Sequence, residues 1–303
     1  MKSFKAHNPD AVSLDPTLRD LHQGAPPATP IQLTAIDAEG CSDRGQRRDT
    51  NEDNFVVARL SRNLVPGESR VPIGGQHATE ALLIAVADGM GGHRRGDVAS
   101  AVALQTFTDH LFRSAPSTMP ETAIDELELV HVLTEGFHAA QEAVNQADAT
   151  NRDPDPRPGP MGTTLTSVYV TPFRAYLCHV GDSRCYLVRD GSASCLTTDH
   201  TMAERLAAES AAAGERLRER WGHVLWNAIG AGDRALTVEN RLLTVRRGDA
   251  LVLCTDGLTT HLSAEQIAAR AAAASAATAC QDMVQAANAA GGTDNITAVV
   301  ARL

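Results

Sequence analysis

Aromatic side chains are scarce, at 4% of 303 residues, so any core must be packed mainly by Ala, Val and Leu. The six cysteines (Cys41, Cys178, Cys185, Cys195, Cys254, Cys280) are scattered, without a CxxC pair. That spacing excludes a zinc ribbon and a disulfide framework and fits a reducing compartment. No apolar run nears the length that spans a bilayer, and the N-terminus has no apolar signal core. A cytoplasmic protein is expected. Basic charge is outnumbered, 27 Lys and Arg against 37 Asp and Glu, for a net −10. An acidic chain disfavours nucleic acid or an anionic membrane as its main partner. No internal repeat is visible. Neither nucleotide-loop fingerprint is present: Gly89-Met90-Gly91-Gly92-His93-Arg94 puts arginine at the third glycine position, and no Gly-Lys-Ser/Thr follows.

Apolar residues still make up 43% of the chain, enough for a sizeable core. Residues 1–35 carry five prolines among small and polar residues without periodicity, which reads as a disordered tail ahead of one domain over 36–303. Phe55–Leu60 and Ala81–Ala87 have strand length and composition, and the Gly- and Pro-rich segment between them reads as a loop. Val98, Ala101, Leu104, Phe107 and Leu111 recur at helical spacing, and a second helix is expected over 121–148. A loop is expected over Asn151–Pro160. Strands follow at Thr163–Val170, Ala175–Val180 and Arg184–Arg189, where Asp190-Gly191 turns the chain into Ala193–Leu196. Residues 201–220 have helical composition. Asp249–Cys254 and Ile296–Arg302 read as the last strands, with one helix between them, opened by Ser263 and Gln266 and closed by Gly291-Gly292. Helices and strands come in segregated blocks, so an α+β fold with helices packed on stacked sheets is expected.

The positions of the acids carry the chemistry. Asp88 follows ALLIAVA and precedes Gly89; Asp256 follows LVLCT and precedes Gly257. Asp182 ends another strand, while Asp53 and Asp294 stand just ahead of the strands at Phe55 and Ile296. A single Asp-Gly after a strand is more often a turn. Five strand-end carboxylates that converge would repel one another and resist burial, and hard divalent cations resolve that conflict. An all-oxygen ligand set favours Mg²⁺ or Mn²⁺ over Zn²⁺. Two such ions can clamp an in-line displacement at phosphorus.

The same segments resemble the metal-dependent PPM family, the type 2C protein serine/threonine phosphatases, in its bacterial form. SDRGQRRDTNEDN (Ser42–Asn54), VADGMGGH (Val86–His93), MGTTL (Met161–Leu165), VGDSR (Val180–Arg184), CTDGL (Cys254–Leu258) and GGTDNIT (Gly291–Thr297) are similar to its motifs, in family order. The resemblance implies a four-layer α-β-β-α sandwich with two central, mostly antiparallel sheets. It implies two Mn²⁺ or Mg²⁺ ions with a possible third: Asp88 bridging, the Gly89 carbonyl on the first, Asp256 and Asp294 on the second, and Asp182 on the third. Glu52 and Asp53 match acidic positions that touch metal-bound water or support the cluster, and Arg48 matches the arginine that grips substrate phosphate. The implied reaction is hydrolysis of phosphoserine and phosphothreonine on proteins, targets of a serine/threonine kinase, by a hydroxide bridging the metals. A second reading is a catalytically weak member that binds phosphoproteins as a regulatory module. Many eukaryotic members have a histidine two residues after the bridging aspartate; Met90 stands there, leaving His93 as the candidate general acid. The segment 200–234 matches the variable flap only loosely, and His179 is read as a core or surface residue.

Overall fold

A computed structural model describes residues 30–62, 79–90, 95–114, 126–150, 160–209, 220–232 and 235–303. The elements run β1 (Asp37–Asp43), β2 (Asp53–Arg62), β3 (Thr79–Met90), α1 (Gly96–Ser114), α2 (Glu126–Thr150), β4 (Gly162–Thr163), β5 (Leu165–Val170), β6 (Ala175–Val180), β7 (Arg184–Arg189) and β8 (Ser192–Cys195). They continue with α3 (Met202–Glu209), β9 (Ile229–Gly230), β10 (Glu239–Leu243), β11 (Ala250–Cys254), α4 (Asp256–Thr259), α5 (Ala264–Ala271), α6 (Ala276–Ala289) and β12 (Ile296–Arg302).

Two sheets form, ordered β1-β12-β11-β7-β8 and β10-β6-β5-β3-β4-β9, with β2 also paired to β3. Every pairing is antiparallel. Side-chain alternation along the strands sorts the apolar residues into three layers. On β3, Ala81, Leu83, Ala85 and Ala87 pack under α1 and α2 with Phe107 and Phe137. Leu82, Ile84 and Val86 point the other way and meet Leu251, Leu253, Val299 and Ala301 of the second sheet. Val252, Cys254, Ala298 and Val300 then face α5 and α6. The result is the expected α-β-β-α sandwich.

Several elements differ from the sequence expectation. The expected tail over 1–35 is too long: Ile31 and Leu33 are buried in the inter-sheet core, and residues 1–29 lie outside the described residues. One helix was expected after Ser263, and there are two. Ser263 opens α5 with the capping box, but Ser275 is extended and its Oγ accepts the Thr278 N–H at 3.1 Å, which starts α6 afresh. The Ala-rich run conceals that break. Strands β1 and β10 gave no apolar run because both are edge strands with mixed burial. Asp190 and Gly191 both have positive φ, 51° and 79°, as a two-residue type I′ hairpin requires. Residues 63–78, 121–125, 151–159 and 210–219, covering most of both expected loops and parts of two expected helices, lie outside the described residues. Among the described residues, no helix is long and apolar enough to cross a membrane.

Candidate metal centre

The site lies where the inter-sheet rows stop being apolar. On β3 the row Leu82, Ile84, Val86 continues to Asp88; on β2 the row Val57, Phe55 continues to Asp53. From the second sheet, Leu253 leads to Thr255 and Val299 leads back to Thr297. The period-two alternation therefore delivers two carboxyls and two hydroxyls to one edge of the sandwich.

Asp53 and Asp88 are direct cross-strand partners. Asp53 Oδ2 accepts hydrogen bonds from Thr255 Oγ1 at 2.8 Å and Thr297 Oγ1 at 2.7 Å, while its buried Oδ1 has no partner. The Asp88 backbone is held by the two threonines of MGTTL. Its N–H donates to Thr164 Oγ1 at 2.9 Å, and its carbonyl accepts from the Thr164 N–H at 2.9 Å and Thr163 Oγ1 at 2.8 Å. Asp256 opens α4, and its buried Oδ1 also lacks a partner. Arg48 Nη2 donates to Asp294 Oδ2 at 2.6 Å. Asn295 ties down the loop carrying Arg48: its Oδ1 accepts the Glu52 N–H at 2.8 Å, and its Nδ2 donates to the carbonyls of Arg44 and Thr50.

Two glycines are required by close approach. A Cβ on Gly89 would collide with the Gly96 carbonyl, and one on Gly257 with the Asn295 carbonyl. Both neighbours are backbone, so neither can move aside cheaply.

Arg48, Glu52, Asp88, Gly89, Asp182, Asp256 and Asp294 line one cavity of about 470 Å³. Asp53 lies behind it, buried. His93 lies outside the described residues. Burial raises the Asp88 carboxyl well above its ordinary pKa, and the Asp53, Asp256, Asp182 and Asp294 charges push it further. Burial also raises Asp53 to about 7, against the two threonine hydrogen bonds, and Asp182 to about 7, with Asp256 adding to the latter. Asp256 and Glu52 are raised too, again chiefly by burial. Crowded carboxyls with two orphaned buried oxygens fit hard divalent cations. The residues present suit the group the sequence implies.

Sequence reasoning had not singled out Asn295 or Thr164 as individual residues, although both stand inside quoted motifs. From the segment 200–234, expected as the variable flap and given no individual roles, His223 and Leu225 line the cavity. Thr201 and Leu225 form an isolated antiparallel bridge, and Met202 N–H donates to the Val224 carbonyl at 2.7 Å. This pairing is too short to leave a periodic signal.

The sequence pattern described as Protein phosphatase 2C matches residues 73–301. The chain belongs to this family. The serine/threonine protein phosphatase PstP of Mycobacterium tuberculosis is 33% identical over 265 residues, covering 86% of this chain and 43% of that protein. This phosphatase 2C chain thus spans less than half the length of that relative. The serine/threonine phosphatase Stp of Listeria innocua is 28% identical over 265 residues, covering 87% of this chain and 94% of that protein. The crystal structure of M. tuberculosis PstP superposes with a TM-score of 0.69 at 29% identity, covering 88% of this chain and 98% of that one. Its catalytic domain in complex with two manganese ions superposes with a TM-score of 0.66 at 29% identity, over 88% and 97%. The fold of this phosphatase 2C chain is that of these neighbours.

Proposed function

We propose that this chain hydrolyses phosphoserine and phosphothreonine on proteins with the help of bound divalent cations. The observation that carries the reading is the cavity in which Asp88, Asp182, Asp256 and Asp294 converge with an unpartnered buried Asp256 Oδ1. Asp88, the Gly89 carbonyl, Asp256 and Asp294 would hold two ions, and Asp182 a third. Mn²⁺, present in the mycobacterial structure, and Mg²⁺ both suit carboxylate and carbonyl oxygens. Such ions supply Lewis acidity at phosphoryl oxygens and make water acidic enough to ionise near neutral pH.

The protein's own groups do the rest. Asp53, held by Thr255 and Thr297, keeps the cluster in place from behind. Glu52, on the cavity wall, orients water within it. Arg48 exchanges Asp294 for two phosphoryl oxygens of the substrate, a fork that lysine cannot copy. Water attacks phosphorus in line, the ester P–O bond breaks, and the serine or threonine oxygen leaves with a proton. His93 is the proposed donor of that proton.

The test is turnover of a phosphothreonine peptide with Mn²⁺ or Mg²⁺ and its loss on chelation. Turnover that persists after thorough metal removal would sink this reading. A regulatory module that only binds phosphoproteins is the outcome if the peptide binds but never turns over. The unfilled Asp256 oxygen favours the enzyme, since a binding module needs no such crowded acids.

A further inference from the structure

Among the described residues, His179, His200 and Glu239 form the one group of three metal-ligand side chains whose ligand atoms all lie within 4.8 Å of one another. Their hydrogen bonds decide against a metal. The His200 Nδ1 faces two N–H donors, Gly181 N at 3.1 Å and Asn227 Nδ2 at 2.9 Å. The amide cannot be flipped, because its Nδ2 also donates to the Thr237 carbonyl and its Oδ1 accepts the Thr237 N–H. Nδ1 is therefore the acceptor and the proton sits on Nε2, 3.9 Å from Glu239 Oε2. His179 Nε2 faces the Thr198 carbonyl at 3.1 Å and must donate to it, so Nδ1 accepts from Thr166 Oγ1 at 2.8 Å. Neither imidazole offers a lone pair toward the cluster. Burial holds both neutral, His179 lowered to about 3 and His200 to about 4.

The bonds made by His200 instead join two walls of the cavity. Its own N–H donates to the Gly181 carbonyl at 2.7 Å while its Nδ1 takes the Gly181 N–H. Its carbonyl accepts the Trp226 N–H at 3.0 Å while the same Nδ1 takes the Asn227 amide. Gly181 immediately precedes Asp182, and Trp226-Asn227 immediately follows Leu225, so one residue clamps the Asp182 turn on one side and the flap on the other. The clamp is buried, with His200 7% and Asn227 4% exposed, and Trp226 packs on the His200 ring at 5.1 Å between centroids. The turn lies close against Thr164, where a Gly181 Cβ would meet that side chain at 2.5 Å, and Thr164 holds the Asp88 backbone.

We propose that His200 is a positioning residue that fixes the Asp182 turn and the flap to each other, so that cation binding at Asp182 and the placement of the flap are coupled. This rests on the reading of Asp182 as a cation ligand. Among substitutions, asparagine keeps an acceptor at the Nδ1 position, whereas leucine leaves the Gly181 N–H and the Asn227 amide unsatisfied in a buried site.

The experiment titrates Mn²⁺ alone into metal-stripped full-length protein, counting bound ions by electron paramagnetic resonance, with amide hydrogen exchange followed in parallel. His200→Leu is expected to weaken the weakest Mn²⁺ site about tenfold, the size of one unsatisfied buried N–H, and to speed exchange at Gly181 and Trp226. His200→Asn should recover most of both, a rescue that loss of packing alone would not give. In an Asp182→Asn background, His200→Leu should change Mn²⁺ binding no further. Equal damage from asparagine and leucine, additive losses with Asp182→Asn, or a leucine variant like wild type would each overturn the proposal. If the leucine variant does not fold, the wild type decides. Mn²⁺ must then slow exchange at Trp226 and Asn227, and must fail to do so in Asp182→Asn. None of these readouts uses turnover, so an inactive wild type would remove the phosphatase reading and leave this coupling to be judged separately.

Discussion

Asp53 and Asp88 stand directly opposite each other on β2 and β3, yet only Asp53 is braced, by two threonine hydroxyls on a single oxygen. The two threonines of MGTTL hold Asp88 through its backbone, while its carboxyl meets the Asp256 carboxyl at the cavity.

Metal-free protein should lose stability as pH rises. Asp53 and Asp182 are each raised from 3.8 to about 7 when folded, so between about pH 4 and 7 the folded state holds protons that the unfolded chain has released. Stability then falls with rising pH through that window and levels off above it. Divalent cations reverse the preference by binding the ionised forms and expelling the protons. Thermal unfolding of chelated protein should show a lower midpoint at pH 8 than at pH 6, with Mn²⁺ giving the larger stabilisation at pH 8. Calorimetry of Mn²⁺ binding near pH 6.5, in buffers of different ionisation enthalpy, should show net proton release. A flat midpoint in chelator would mean that these carboxyls are not crowded in solution.

Loss of the Asp256 charge alone should disable turnover. Asp256→Asn keeps the shape of the side chain but weakens a ligand, and turnover of a phosphothreonine peptide should fall by at least about two orders of magnitude. Full activity at saturating Mn²⁺ would remove Asp256 from the cation site.

Arg48→Ala and Arg48→Lys should both impair phosphopeptide turnover. The Arg48–Asp294 pair is solvent-exposed, with the two side chains 54% and 33% accessible, so breaking it should hardly change folding stability. Removing the guanidinium also frees Asp294 from a competitor, and Mn²⁺ affinity should be unchanged or higher. Turnover equal to wild type in Arg48→Ala would assign the arginine to the surface.

The legible parts of this molecule were the strands buried on both faces. Ala175–Val180 and Ile296–Arg302 coincide with β6 and β12 because two-sided burial writes a continuous apolar run, and Arg184–Arg189 coincides with the partly buried β7. Asp88, Asp182, Asp256 and Asp294 were legible for the same reason: each interrupts or flanks such a run. Edge strands β1 and β10 left no run to read. The flap was silent because isolated bonds between residues far apart in sequence, such as Trp226 N–H to the His200 carbonyl, hold it, and such bonds leave no spacing rule in the sequence. Ser275 was hidden among alanines that favour helix on either side of it.

Thr297→Val should destabilise the protein by about 1–3 kcal/mol, since it removes a donor from the buried Asp53 Oδ2. Its Oγ1 also bonds Ser42 Oγ at 2.8 Å, so that group loses a partner as well. Thr255→Val should act similarly, because Thr255 Oγ1 additionally accepts the Thr297 N–H at 3.0 Å. The two share one carboxylate oxygen, so the double variant should fall short of the sum. Urea titration of the metal-free forms measures this; additive losses would mean that the hydroxyls act independently of Asp53.

The leaving-group proton separates two histidines. A serine alkoxide leaves poorly without a proton, whereas p-nitrophenolate leaves unaided. Loss of a general acid should therefore cost about 10²-fold on a phosphoserine peptide and little on p-nitrophenyl phosphate. Met90 lines the cavity but has no proton to give, and Met90→Ala should show no such asymmetry. His93→Ala is expected to show it in kcat, since His93 follows the Asp88-Gly89 end of β3 by four residues from the glycine. His223 reaches the same cavity from the flap wall, a position that would face the peptide flanking the phosphate. His223→Ala should instead raise KM for the peptide and leave kcat and p-nitrophenyl phosphate turnover nearly unchanged. If the kcat asymmetry follows His223 and not His93, the proton comes from the flap. Equal losses on both substrates in His93→Ala would make that residue a holder of the site, with water in the cavity protonating the departing oxygen.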